Sequence, residues 1–285
     1  MEIHLRLETP ADYRRVEEVT REAFWGFSHR TCEEHYLIHT LRTSPFYVPQ
    51  LDFVAEINGE IVGNIVYSKA VVLASDGTET EVLTFGPLSV LPAFQNKGVG
   101  STLTRYSLLE AQKTNALGVL IYGHPEYYPR FGFQAGEVFG ITSLGGKSFD
   151  ALMALELYEG AFSSVKGKFR ENSCFDIDMS AVAEFDKSFP YKEPKTMQPI
   201  SILLDKLPKS ASVAFEKRNI PNLAYLNRLS GREIYNWDGI DEDAMSIINR
   251  VLQENGFSKK LSPDCLILQN AKRGVRVLTE PTHSC

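Results

Sequence analysis

"LPAFQNKGVGSTL", residues 91–103, decides how this chain is read. An apolar run, "EVLTFGPLSVL" (81–91), leads into it, and an amphipathic segment over 99–114 leaves it. The pattern is strand, tight loop, helix, with Gly98 and Gly100 in the loop. Glycines strip side chains from a turn, so backbone amides can close around an anion. A helix N-terminus adds unpaired N–H groups and a dipole that favours negative charge. Lys97 adds a cation. The loop has neither the GK[ST] of a Walker loop nor the GxGxxG of a dinucleotide fold. It is a candidate phosphate cradle of another kind.

Working outward, "IHLRLE" (3–8) alternates as a half-buried strand. Thr9 and Pro10 suit the start of a helix striped by Val16, Val19, Ala23 and Phe24. A second helix is expected over 31–42. "LDFVAEING" and "EIVGNIVYSKAVVLA" read as a hairpin turning at Asn58-Gly59. The strand at 81–91 follows a turn at 76–79 and should bulge or splay at Gly86-Pro87, because proline cannot donate to a ladder. The helix after the loop would bury Val99, Leu103, Tyr106 and Leu109. "GVLIYG" (118–123) is a short buried strand, "HPEYYPRFGF" (124–133) a helical turn entering another, and "ALMALELYEG" (151–160) a further strand. The order predicts a mixed α/β fold.

The chain has 285 residues and a net charge of −6, which argues against a nucleic-acid binder working through bulk charge. Charge is uneven: residues 1–196 hold 18 basic and 26 acidic groups, and residues 197–285 hold 12 and 10. With the "FPYKEP" linker, this sets a boundary near 196. Beyond it, "NIPNLAYLNRLSG" and "DEDAMSIINRVLQENGF" read as helices, and "DCLILQN" with "GVRVLTE" as a hairpin, giving a smaller, mainly helical module. Asp241, Glu242 and Asp243 fit a helix cap better than a metal site. Four scattered cysteines without CxxC spacing fit reduced thiols and a cytoplasmic location. No signal peptide and no run near ~18 apolar residues is present, so no membrane partner is expected.

The order "PLSVLPAFQNKGVGSTL", helix, "GVLIYGHPEYYPRFGF" resembles the GNAT superfamily of acetyl-CoA-dependent N-acetyltransferases. The resemblance covers residues 1 to about 195 and includes a bacterial branch without assigned substrates; residues 197–285 carry none. It implies a mostly antiparallel mixed sheet flanked by helices. In the family a Q/R-x-x-G-x-G/A loop receives the CoA pyrophosphate, and here Gln95, Asn96, Lys97, Gly98, Val99, Gly100 and the following Ser101 stand in that place. The preceding strand implies Leu88, Ser89 and Val90 as backbone partners of the pantetheine, with the Leu88 region also supplying an oxyanion donor. A tyrosine four residues before a Gly-Phe pair commonly protonates the leaving thiolate. Gly132-Phe133 makes it Tyr128, with Tyr127 expected only to pack.

The implied reaction is direct attack of an amine on the thioester in a ternary complex. It needs no metal and no covalent intermediate. The amine must lose a proton, and His124 and Glu126 are nearby candidates to take it. Glu33, Glu34, His35 and His39 lie on the second helix, which borders the acceptor cleft in the family. His35 and His39 share a helical face, but no third ligand accompanies them, so both are expected to face solvent. The acceptor, a small molecule or a peptide, is not named by the sequence. The rival reading is a protein that binds or senses acyl-CoA without transferring it. The C-terminal module is open to partner binding, cleft covering or homodimer formation.

Overall fold

The computed structural model describes residues 1–27, 30–125, 127–148, 150–195, 197–218, 220–227, 229, 231–257, 261 and 276–279. The chain divides into two compact units, with one change of unit at Tyr191/Lys192. One compact unit comprises Met1–Ala23, Glu33–Tyr191 and Arg273–Cys285, and the other Phe24–Cys32 and Lys192–Lys272.

The first unit is built on a mixed sheet. Its strands are β1 (Glu2–Leu7), β2 (Phe53–Ile57), β3 (Glu60–Leu73), β4 (Glu79–Val90), β5 (Gly118–Tyr122), β6 (Gln134–Ala135), β7 (Ile141–Ser143), β8 (Leu152–Glu156), β9 (Gly167–Arg170) and β10 (Arg276–Thr279). Its helices are α1 (Tyr13–Phe24), α2 (Glu34–Leu41), α3 (Val99–Ala111) and α4 (Met179–Asp186). The main path runs β10-β1-β2-β3-β4-β5-β8-β6, with β9 pairing β3 and β7. Pairing is antiparallel except for β1 with β10, β4 with β5 and β7 with β9.

Asn58 and Gly59, both at positive φ (53° and 79°), turn the β2–β3 hairpin. Opposite β3, the ladder steps from Ile65↔Leu88 to Tyr67↔Phe85. Gly86 and Pro87 together therefore face one residue, Val66, as the proline predicted.

One face of the sheet packs Phe53, Ile65, Tyr67, Phe85, Val119 and Ile121 against Val99 and Leu103 of α3. Gly63 lets this helix approach: a Cβ there would stand 2.8 Å from the Ser89 carbonyl and 3.2 Å from Val99. On the other face, Val54 and Val66 meet Val16 and Val19 of α1 and Ile38 and Leu41 of α2. Farther along that face, Ala70, Val72, Val82 and Leu120 pack beneath Phe169.

Several expectations need correction. Helix α1 starts at Tyr13; Asp12 takes the Thr9 N–H and hydroxyl at 2.9 and 2.7 Å and holds Thr9 and Pro10 in the preceding turn. Helix α3 ends at Ala111, and Leu108 and Ala111 are buried in place of Leu109, which is 59% exposed. His35 is fully buried between Phe185 and Phe189, whereas His39 is half exposed beside Glu17.

The second unit contains α5 (Ser201–Leu204), α6 (Lys209–Lys217), α7 (Leu223–Leu226), α8 (Gly231–Tyr235) and α9 (Glu242–Glu254). Leu203, Phe215, Leu226, Trp237, Ile248 and Leu252 share its core. Asp241 caps α9 by accepting the Ala244 N–H at 2.8 Å, and Gly256 ends it at φ 86°. Strand β10 falls within the expected strand "GVRVLTE" and joins the first unit's sheet beside β1. Its expected hairpin partner, 264–270, lies outside the described residues.

Candidate active site

Strands β4 and β5 are paired at a single register position, Leu83↔Val119. Beyond it they no longer pair, and the gap between them opens toward the loop that enters α3. The outward groups of β4 follow from its ladder with β3. Leu91 N donates to Val62 O at 2.8 Å. Antiparallel alternation then turns the Ser89 amide toward β3 and the Leu88 and Val90 amides away from it, into the gap. The Ser89 side chain lies on the α1 face, 3.0 Å from Thr20 Oγ1.

The loop is tied to the strand end. Gln95 Nε2 donates to Val90 O at 3.0 Å. Asn96 (φ 59°) and Gly98 (φ 92°) take left-handed backbone, and Gly98 is the N-cap of α3. Thr102 N closes the first helical bond onto Gly98 O at 2.9 Å. The amides of Val99, Gly100 and Ser101 therefore stand in the first turn without intrahelical acceptors. Asn96, Lys97 and Gly98 are exposed. Arg105 and Arg130 lie over the rings of Phe131 and Tyr127 at 5.0 and 4.8 Å, adding cations near this helix end.

Both tyrosines sit at the gap, in different roles. Tyr127 does more than pack. Its hydroxyl is 3.2 Å from Ser101 Oγ and would be 3.4 Å from a Cβ on Gly100. The Tyr128 ring contacts Phe85 of β4 and Phe133, with centroids 5.7 and 5.6 Å apart, and fills the space a Cβ on Gly123 would need. It therefore spans the gap on the α3 side. Burial pushes its phenol well above the usual range, so it is protonated at neutral pH. No hydrogen-bond partner for that phenol is found among the described residues.

The His124 carbonyl accepts the amides of Tyr127 and Tyr128 at 2.9 and 3.2 Å, and Glu126 lies outside the described residues. His35 does not join the gap. It sits with Asp186, whose Oδ1 is 3.1 Å from its Nε2.

Sequence reading missed the opposite wall. On the α1–α2 side, Tyr122 closes β5 and packs on Phe169 at 5.5 Å. Phe175 would be 3.9 Å from a Cβ on Gly86. Glu171 lies in the same segment, half-buried, with its carboxyl pushed up to about 7 by desolvation and then by the Asp176 charge. No local motif marks it, because the segment after β9 reaches β3 and β4 only through tertiary pairing.

Residues 50–135 match the family described as acetyltransferase (GNAT) domain. Over those residues the chain is similar to the GNAT domain family. The chain is 32% identical over 125 residues to the uncharacterized N-acetyltransferase YjhQ of Escherichia coli K12, covering 44% of this chain and 65% of YjhQ, just under two thirds of its length. The GNAT fold is shared with the E. coli GNAT family N-acetyltransferase YhbS, solved in complex with CoA, at TM-score 0.53 and 22% identity over 61% of this chain and 91% of that one. A GNAT family acetyltransferase from Brucella melitensis, solved in complex with acetyl-CoA, matches at TM-score 0.50 and 28% identity, covering 61% and 98%. The mixed α/β sheet flanked by helices is thus the GNAT fold. Among the described residues no helix is long and apolar enough to cross a membrane, and no group of three or more His, Cys, Asp or Glu is arranged to hold a metal.

Proposed function

We propose that this protein transfers the acetyl group of acetyl-CoA to a primary amine by direct attack in a ternary complex. The observation that carries the reading is the β4–β5 gap aligned with the free first turn of α3. In this reading the amides of Val99, Gly100 and Ser101, with Asn96, Lys97 and Gly98, bind the cosubstrate's pyrophosphate. Gln95 holds the loop to Val90. The Leu88 and Val90 backbone lines the pantetheine arm, and Leu88 N–H faces the thioester carbonyl as it becomes an oxyanion. Tyr128 keeps a proton for the departing thiolate.

YhbS and the Brucella protein bind CoA and acetyl-CoA in their crystals, which supports the same cosubstrate here. The acceptor is an amine on a small molecule or a peptide. The test is release of free thiol from acetyl-CoA across a panel of polyamines, aminoglycosides, amino acids and peptides. Acceptor-dependent release supports transfer. Tight acetyl-CoA binding with no release across the panel would favour an acyl-CoA-binding role instead.

A further inference from the structure

We propose that Glu171 is the general base of the transfer: it receives the acceptor's ammonium group, takes its proton, and so selects cationic primary amines. This rests on the acetyl-transfer reading above.

The geometry of the gap leads to it. Tyr128 closes the α3 side against Phe85 and Gly123. Alternation along β5 puts Ile121 on that side and Tyr122 on the other. Phe169, Glu171 and Phe175 line this second side. The segment is pinned there: Asn172 Nδ2 donates to Ser68 Oγ at 3.0 Å and to Lys69 O at 2.9 Å, and Asn172 Oδ1 accepts the Cys174 amide at 3.0 Å. A proton donor and a carboxylate thus flank one opening from opposite faces.

Glu171 is also suited to the task by what it lacks. Neither a hydrogen bond nor an ion pair to it is found among the described residues. Nearby basic side chains are engaged elsewhere, Arg170 with Glu79 at 2.6 Å and Lys69 with Glu81 at 3.2 Å. Among the described residues, the charged or titratable groups acting on it are Asp176 and Tyr122. A half-buried carboxylate beside a second carboxylate and aromatic walls attracts a cation. A carboxyl titrating about 7 is well matched to accepting a proton near neutral pH.

Glu171 carboxylate takes one proton from R–NH3+, leaving R–NH2. The nitrogen forms the C–N bond to the thioester carbonyl, and the C–S bond breaks with its electron pair going to sulfur. Tyr128 protonates that thiolate and is restored by the second proton leaving nitrogen. Glu171 then releases its proton to solvent.

The experiment compares wild type, Glu171→Gln and Asp176→Asn over the amine panel, with CoA calorimetry on each as the control for folding. Wild-type kcat/KM should rise with pH through a limb near 7. Glu171→Gln should lose roughly 100-fold or more in kcat and lose that limb, with CoA affinity unchanged. Asp176→Asn removes the like charge, so it should move the limb to lower pH, a shift that a purely structural role would not produce. Transfer by Glu171→Gln within threefold of wild type, with the limb intact, overturns this role and leaves acetyl transfer standing. No transfer by wild type to any amine overturns both.

Discussion

Ser101 Oγ and the Tyr127 hydroxyl meet 3.2 Å apart at the first turn of α3, joining the glycine loop to the segment that carries Tyr128. The two adjacent tyrosines therefore serve different ends of the gap, and they separate in kinetics. Tyr128→Phe keeps the ring among Phe85, Phe131 and Phe133 and removes only the phenolic proton. In steady-state assays kcat should fall roughly 100-fold with CoA affinity nearly constant, as for a group acting in the transition state. Tyr127→Phe should instead weaken CoA binding by about fivefold, the loss of one hydrogen bond of about 1 kcal/mol, with a smaller effect on kcat. The reverse pattern would exchange their roles.

The loop itself is tested by charge. Gly98 sits at φ 92° with open space around it, so Gly98→Asp adds a carboxylate and a strained backbone together. Gly100 is in relaxed helical backbone, so Gly100→Asp isolates the charge and bulk. Both should lower CoA affinity at least about tenfold, or 1.4 kcal/mol, by calorimetry. If Gly98→Asp alone weakened binding, the anion site would not include the Gly100 amide.

Packing of α3 offers a stability test. Leu103 is fully buried beneath the sheet, and Leu103→Ala should cost about 2–5 kcal/mol in urea unfolding. Leu109→Ala should stay within about 0.5 kcal/mol, because Leu109 faces solvent.

That contrast marks how far sequence carried. The loop, the hairpin at Asn58-Gly59 and the bulge at Gly86-Pro87 are local, and each follows from backbone chemistry legible in a few residues. The exposed Leu109 was misread because a 3.6-residue period leaves the outer edges of a helical stripe ambiguous. Segments placed by distant pairing left no comparable signal. Strand β10 lies beside β1 across nearly the whole chain, and Glu171 reaches the gap only because Asn172 anchors its segment to β3. The backbone half of the candidate site was therefore legible, and the carboxylate side was not.

His35 provides the last test, through pH. Desolvation between Phe185 and Phe189 lowers its pKa to about 4, against the partial opposing pull of Asp186. Asp186 Oδ1 is itself engaged by Arg21 Nε at 2.6 Å, and Arg21 and Arg14 both disfavour a second cation there. The imidazole is therefore neutral in the folded protein at neutral pH. The unfolded chain, with a histidine near 6.5, binds more protons between about pH 4 and 6.5. Stability should then fall as pH drops through that window, with His35 contributing at most about 3 kcal/mol of the loss. His35→Phe preserves an aromatic ring in the same aromatic setting and removes the titration. Urea denaturation at half-unit pH steps should show a shallower slope between pH 4 and 6.5 for the variant, with wild-type activity at pH 7. An unchanged slope would assign the acid sensitivity to the carboxylates and leave His35 as packing alone.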